Sequence, residues 1–126
     1  MSKVIEGLKY SKDHEWVKIE GTTATVGITD HAQDALGEIV FVELPEVGAD
    51  FEAGDEIADI ESVKAASEII TPVGGNVSEV NDALEDSPEL INDDCYGHFI
   101  YRMNDVVVPD DLLDAKGYED YLSTLK

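Results

Sequence analysis

Apolar residues recur along this chain at two distinct periods. Ala24, Val26 and Ile28 alternate with Thr23, Thr25 and Gly27, the two-residue period of a strand that buries one face. The run Ile39 to Leu44 is apolar enough for a central strand, and the two segments should face a shared core. Between them, Thr29 or Asp30 can cap a short helix through His31 to Leu36, with Gln33 three residues after Asp30 and Gly37 as the stop signal. Near the end, Tyr118, Tyr121, Leu122 and Leu125 fall at i, i+3, i+4 and i+7, which predicts an amphipathic helix over about 114–125 that packs on the sheet. Asp55 to Val63 and Ser67 to Pro72 read as two short strands of a hairpin over about 55–72, with Lys64 at its tip. Gly48, Gly54, Gly74 and Gly75 punctuate strands at turn positions, and Pro45, Pro72 and Pro88 fall where a central strand could not tolerate a missing amide donor. By itself the alternation supports a small antiparallel sandwich or barrel.

At 126 residues, the chain is long enough for one domain with one core, spanning 1–126, and too short for two comfortable ones. Its 29 acidic and 8 basic residues give a formal net charge of −21. That charge repels nucleic acid and anionic membrane surfaces and favours solubility and basic protein partners. The acids are scattered rather than gathered in one tail, so most of them solvate the surface. Cys95 is the only cysteine, which precludes an internal disulfide and suits a reducing, cytoplasmic compartment. No apolar run approaches the length of a membrane span, and Met1 to Glu6 lacks both a signal-peptide core and a transit pattern.

Within this acidic chain, Lys64 stands out in Glu61-Ser62-Val63-Lys64-Ala65-Ala66-Ser67. Enzymes that attach a lipoyl or biotinyl arm need an ε-amine that is exposed, fixed by a rigid turn and free of salt-bridge partners, and Val-Lys-Ala with small residues following fits that need. Other constellations carry less. His14, His31 and His98 are too far apart in sequence for a metal pair on one helix, and a single cysteine makes no zinc spacing. A Cys95 and His98 pair lacks an orienting third group, and Asp93 and Asp94 oppose a reactive thiolate, so the thiol reads as inert. Gly74-Gly75 lacks the spacing and lysine of a phosphate loop and reads as a plain turn. Trp16 reads as core or cleft wall.

The ordered set of motifs resembles the H protein family of the glycine cleavage system from Leu8 to about Leu122. It comprises Lys9-Tyr10-Ser11, His14-Glu15-Trp16-Val17, Val26 through Gln33, Gly37 through Pro45, Glu61 through Ala65, Pro72-Val73-Gly74-Gly75, Val80-Asn81 and Ser87 through Asn92. No one of these would decide the matter, but their order and spacing are highly specific. The resemblance implies a mainly β fold, a flattened barrel-sandwich hybrid of lipoyl/biotinyl-carrier type with short helices and a C-terminal amphipathic helix. It implies lipoate on Lys64 and a non-catalytic carrier role. The carrier takes an aminomethyl group from the P protein, a pyridoxal-phosphate glycine decarboxylase, to the T protein, the aminomethyltransferase. The L protein, dihydrolipoyl dehydrogenase, reoxidises the dithiol, and a lipoate ligase or octanoyl transferase installs the arm. Matching by position makes Asp13, Glu15, His31 and Glu68 candidates for a cleft that shelters the loaded arm, with Glu15 and Glu68 favouring a charged amine.

In one place the chain departs from the family. Cys95-Tyr96-Gly97-His98-Phe99 is about one residue shorter than the usual segment and lacks its Trp. That departure leaves open an H-like lipoate depot that relays lipoyl groups to other apo-proteins. A biotinyl carrier fits less well, because those proteins resemble one another through Met-Lys-Met, and Val63-Lys64-Ala65 lacks both methionines.

Overall fold

The computed structural model describes residues 4–125. In chain order the elements are β1 Lys9–Tyr10, β2 Glu15–Glu20, β3 Thr23–Ile28, α1 Asp30–Leu36, β4 Ile39–Glu43, β5 Asp50–Phe51, β6 Glu56–Ser62 and β7 Ala66–Ile70. They continue with β8 Gly74–Val80, α2 Ala83–Asp86, α3 Leu90–Asp93, β9 Tyr101–Val107 and α4 Ala115–Ser123. A six-stranded antiparallel sheet runs β1-β2-β3-β9-β8-β5, and a three-stranded one runs β4-β6-β7. Between them lies the core. Val17, Ala24, Val26 and Ile28 enter it from the large sheet, while Ile39, Val42, Ile60 and Ile69 enter from the small one. Burying such side chains is worth on the order of 2 kcal/mol each, enough to hold strands that would not persist singly.

Helix α1 forms where the cap chemistry places it. The Thr29 hydroxyl accepts the Ala32 N–H at 3.3 Å, and the Gln33 amide reaches back to Asp30 at 2.8 Å. Gly37 ends the helix with φ of 81°, a left-handed geometry that glycine adopts without a Cβ clash. At the other end of the chain, α4 docks through a separate cluster in which Tyr10, Trp16, Ala115 and Tyr118 are buried. Tyr10 and Tyr118 stack with ring centroids 4.6 Å apart.

Three expectations need correction. The Ile39 run is an edge strand of the small sheet, not a central one, and a bulge between Ile39 and Phe41 leaves Val40 and Phe41 nearly half exposed. Gly74-Gly75 opens β8 instead of forming a plain turn, since neighbouring strands crowd it and a Cβ on Gly75 would stand 2.7 Å from the Asn104 carbonyl oxygen. Helix α4 ends at Ser123, so Leu125 falls past the stripe and is exposed.

Candidate carrier site at the lysine hairpin

Strands β6 and β7 pair with Ile60 opposite Ser67 and Glu61 opposite Ala66, which leaves Ser62 to Ala65 as the connecting turn. Ser62 organises that turn. Its N–H donates to the Ala65 carbonyl at 2.8 Å, while its hydroxyl oxygen accepts the Lys64 and Ala65 N–H groups at 3.2 and 3.1 Å. This is the local hydroxyl-to-backbone chemistry that favours serine in turns. Lys64 at the tip is exposed. The ion pairs among the described residues, Arg102 with Glu79 and Lys116 with Asp120, do not involve it.

The four residues expected to line a cleft do not converge. Glu15 is 2% exposed on β2. The Ser11 hydroxyl donates to its Oε1 at 2.7 Å, and the Glu15 N–H donates to Ser11 Oγ at 3.2 Å. Burial pushes its carboxyl up to about 8; the Ser11 hydrogen bond opposes this, the Asp13 charge adds to it, and a hydrogen bond from the Ile70 backbone opposes it again. Asp13 is therefore a neighbour of Glu15, but it is exposed. Ser11, Asp13, Ile70, Thr71 and Pro72 line an open cleft of about 440 Å³. Glu68, in contrast, lies on the outer face of the small sheet, paired across β6 with Asp59, and its carboxyl lies close enough to Glu56 to raise the latter's affinity for a proton. It does not join Glu15. Asp59 in turn pairs with Glu43, so three carboxylates cross the three strands in one row.

His31 meets His14, which is held at φ of 69° between β1 and β2; the two rings lie at a tilt of 38° with centroids 4.4 Å apart, although the residues are 17 positions apart in the chain. The His14 Nδ1 lies 2.8 Å from the Tyr118 hydroxyl, which is also 2.8 Å from the Thr29 hydroxyl. Burial, and after it the His31 imidazole, lower the His14 affinity for a proton, while Asp13 opposes both. Among the described residues, no group of three or more His, Cys, Asp or Glu side chains could hold a metal ion.

The polar roles of Ser11, Tyr118 and Tyr101 carry no signal in the sequence pattern. Tyr101 is fully buried and its hydroxyl lacks a hydrogen-bond partner among the described residues, with Thr71 and Glu15 near enough to influence its ionisation. Nothing local in the sequence marks Tyr101 or its polar end. The segment that lacks the family Trp is packed by Trp16, whose indole N–H donates to the Cys95 carbonyl at 3.1 Å, and by Tyr96, 6.2 Å from Trp16 between ring centroids.

Two small antiparallel sheets around one core, with an exposed lysine at a hairpin tip, define a barrel-sandwich fold of the lipoyl/biotinyl-carrier type. The sequence pattern of the family described as Glycine cleavage H-protein matches residues 8–125, and the chain belongs to that family. It is 54% identical over 122 residues to the glycine cleavage system H protein of Thermoanaerobacter pseudethanolicus, covering 95% of this chain and 97% of the relative. With the probable glycine cleavage system H protein of Thermococcus gammatolerans it shares 51% identity over 127 residues, covering 98% and 95% of the two chains. The crystal structure of a glycine cleavage system H protein from Mycobacterium marinum superposes with a TM-score of 0.90 at 38% identity, covering 95% of this chain and 99% of that one. None of the described helices is long and apolar enough to cross a membrane.

Proposed function

We propose that this chain is the lipoyl-bearing carrier of glycine cleavage, a non-catalytic subunit that works with the P, T and L proteins. The observation that carries the reading is Lys64, exposed, clear of ion pairs among the described residues and held on a turn fixed by Ser62, in a fold shared with that family. A lipoyl group in amide linkage to that amine supplies a disulfide that accepts the aminomethyl unit of decarboxylated glycine and becomes a dithiol that must be reoxidised. The residues fit such a group, because the turn presents the amine without a competing carboxylate and the cleft beside Ser11 and Ile70 offers space for a flexible arm.

Glu15 stands behind that cleft, buried and hydrogen-bonded to Ser11, which lines it. With its carboxyl raised to about 8, it holds a proton on the side-chain oxygens near neutral pH, and it can release that proton when an amine approaches and needs a negative partner. Asp13, exposed at the cleft wall, supplies a standing negative charge. Next to Asp13, His14 meets His31 ring against ring at a tilt of 38°. Glu68 acts elsewhere, on the outer acidic face that a basic partner would meet.

The test is intact mass after incubation with a lipoate ligase, lipoate and ATP. One lipoyl increment is expected on the parent chain and none on Lys64→Arg, which keeps the charge without the acylatable amine. An increment on Lys64→Arg would defeat the assignment. Glycine-dependent release of CO2 with purified P, T and L proteins then separates a glycine-cleavage carrier from a lipoate depot.

A further inference from the structure

The hairpin tip is tied to a distant part of the chain, and Asn92 on α3 makes the tie. The Val63 N–H, one residue before Lys64, donates to the Glu38 carbonyl at 3.0 Å. Asn92 clamps the backbone on either side of Glu38: its amide nitrogen donates to the Gly37 carbonyl at 2.8 Å and to the Gln33 side-chain oxygen at 3.0 Å, and its own oxygen accepts the Ile39 N–H at 2.9 Å. Both amide hydrogens and one lone pair of the carbonyl oxygen are thereby used, three of the four hydrogen bonds this side chain can make. Gly37 is more than a helix stop. A Cβ there would stand 2.9 Å from Lys64 Cε and 3.5 Å from its Nζ, so the lysine stem lies across bare backbone. Beside it, Val63 is 64% exposed and Val40 47% exposed, which places an apolar shoulder at the base of the amine.

We propose that the enzyme that acylates Lys64 reads a composite surface, the Ser62 to Ala65 turn together with the Gly37 to Val40 strip, and that Asn92 is the positioning residue that holds the two parts in register. This rests on the reading of Lys64 as the lipoylated residue. In the step itself the Lys64 amine, having lost a proton to solvent, attacks the acyl carbon of an acyl adenylate. The amide C–N bond forms, the bond from acyl carbon to phosphate oxygen breaks, AMP leaves, and the attacking nitrogen gives its second proton to solvent. Asn92 touches none of these atoms. It fixes the floor beneath the lysine stem, so that the amine is presented from one direction instead of sweeping a cone, and small errors in such placement are costly in rate.

The test compares the parent with Asn92→Asp, Gln33→Ala and Gly37→Ala, using the full chain, lipoate ligase, lipoate and ATP. Aspartate keeps the acceptor for Ile39 but turns both donors into acceptors facing the oxygens of Gly37 and Gln33. We expect kcat/KM for attachment to fall about 10-fold in Asn92→Asp and about 3-fold in Gln33→Ala, since misplacement of a reacting group by an ångström can cost up to about 100-fold. The Val63 amide should exchange hydrogen faster in both. Gly37→Ala leaves Asn92 itself in place but strains the backbone at φ of 81° and crowds Lys64 Cε, so it should also be a poor substrate even if the aspartate variant fails to fold. Acylation of Lys64 by a small N-hydroxysuccinimide ester, which needs only an exposed amine, should stay within about two-fold of the parent in folded Asn92→Asp and Gln33→Ala, because neither substitution touches the lysine. Parental kcat/KM in variants whose Val63 amide is released would overturn the proposal. So would equal losses toward enzyme and reagent, which would trace the effect to the amine itself or to unfolding. Failure of the underlying reading shows up separately, as modification that persists in Lys64→Arg.

Discussion

Glu15 is the residue whose chemistry differs most from its appearance in the sequence. His14-Glu15-Trp16 reads as a polar entry to a strand, yet the carboxyl is buried and its affinity for a proton is raised to about 8 from a usual 4.5. Because the folded chain holds that proton more tightly than the unfolded one, Glu15 stabilises the fold most below the usual carboxyl range. That contribution is lost as pH rises from about 4.5 through about 8. Replacing it by Gln keeps an acceptor for Ser11 and removes the titration. We expect parent and Glu15→Gln to have similar urea midpoints at pH 5, and the variant to be more stable at pH 9 by on the order of 3 kcal/mol. Parallel stability curves for the two proteins would show that the carboxyl is not held neutral. The family resemblance implies that Glu15 and Glu68 together favour a charged amine in the cleft. The structure separates them, so Glu15→Gln alone should change the handling of an amine beside Ser11 while Glu68→Gln should not.

At the scale of elements, one hydroxyl adds a polar seam to the apolar docking of α4. Tyr118 bonds His14 and Thr29 at 2.8 Å each and stacks on Tyr10, so a C-terminal helix of nine residues is joined to the β1–β2 connection and to the cap of α1. Tyr118→Phe keeps the ring and removes the shared hydroxyl. That should cost about 1 to 3 kcal/mol, because the Thr29 hydroxyl is left buried with one partner fewer. Thr29→Val removes the cap as well and should cost about 1 to 2 kcal/mol. Because both substitutions break the same bond, their double variant should lose less than the sum, as urea denaturation of all four proteins would reveal. Additive losses would mean that the two hydroxyls do not interact. The stripe of Tyr118, Tyr121 and Leu122 made the helix legible in advance, whereas the polar seam under it joins residues about 90 to 105 positions apart, with no local trace.

Across the whole molecule, the net charge of −21 is carried largely by carboxylates at the surface, and only two ion pairs are found among the described residues. The row of Glu43, Asp59 and Glu68 on the small sheet sets like charges side by side, an arrangement that costs stability within the sheet and makes sense as a field for basic partners. Association with the P, T and L proteins should therefore slow as salt is added, since exposed charges are screened beyond roughly 8 Å at physiological ionic strength. On-rates that stay flat through a salt series would leave these acids with solubility alone.

The chain by itself determined whatever depends on near neighbours. The alternation of Ala24, Val26 and Ile28 set a strand with one buried face, Thr29, Gln33 and Gly37 set the two ends of α1, and Ser62 set the turn under Lys64 by bonding to amides two and three residues on. These follow from bond geometry and side-chain chemistry within a few residues, which any reader of the sequence can apply. Tertiary structure alone decided that Ile39 to Glu43 is an edge, that Glu15 is buried, that His14 and His31 meet ring against ring, and that Asn92 props the loop beneath Lys64. Each of these depends on which distant segment arrives on which face, and a local pattern of apolar and polar residues can call for burial without naming the partner that supplies it.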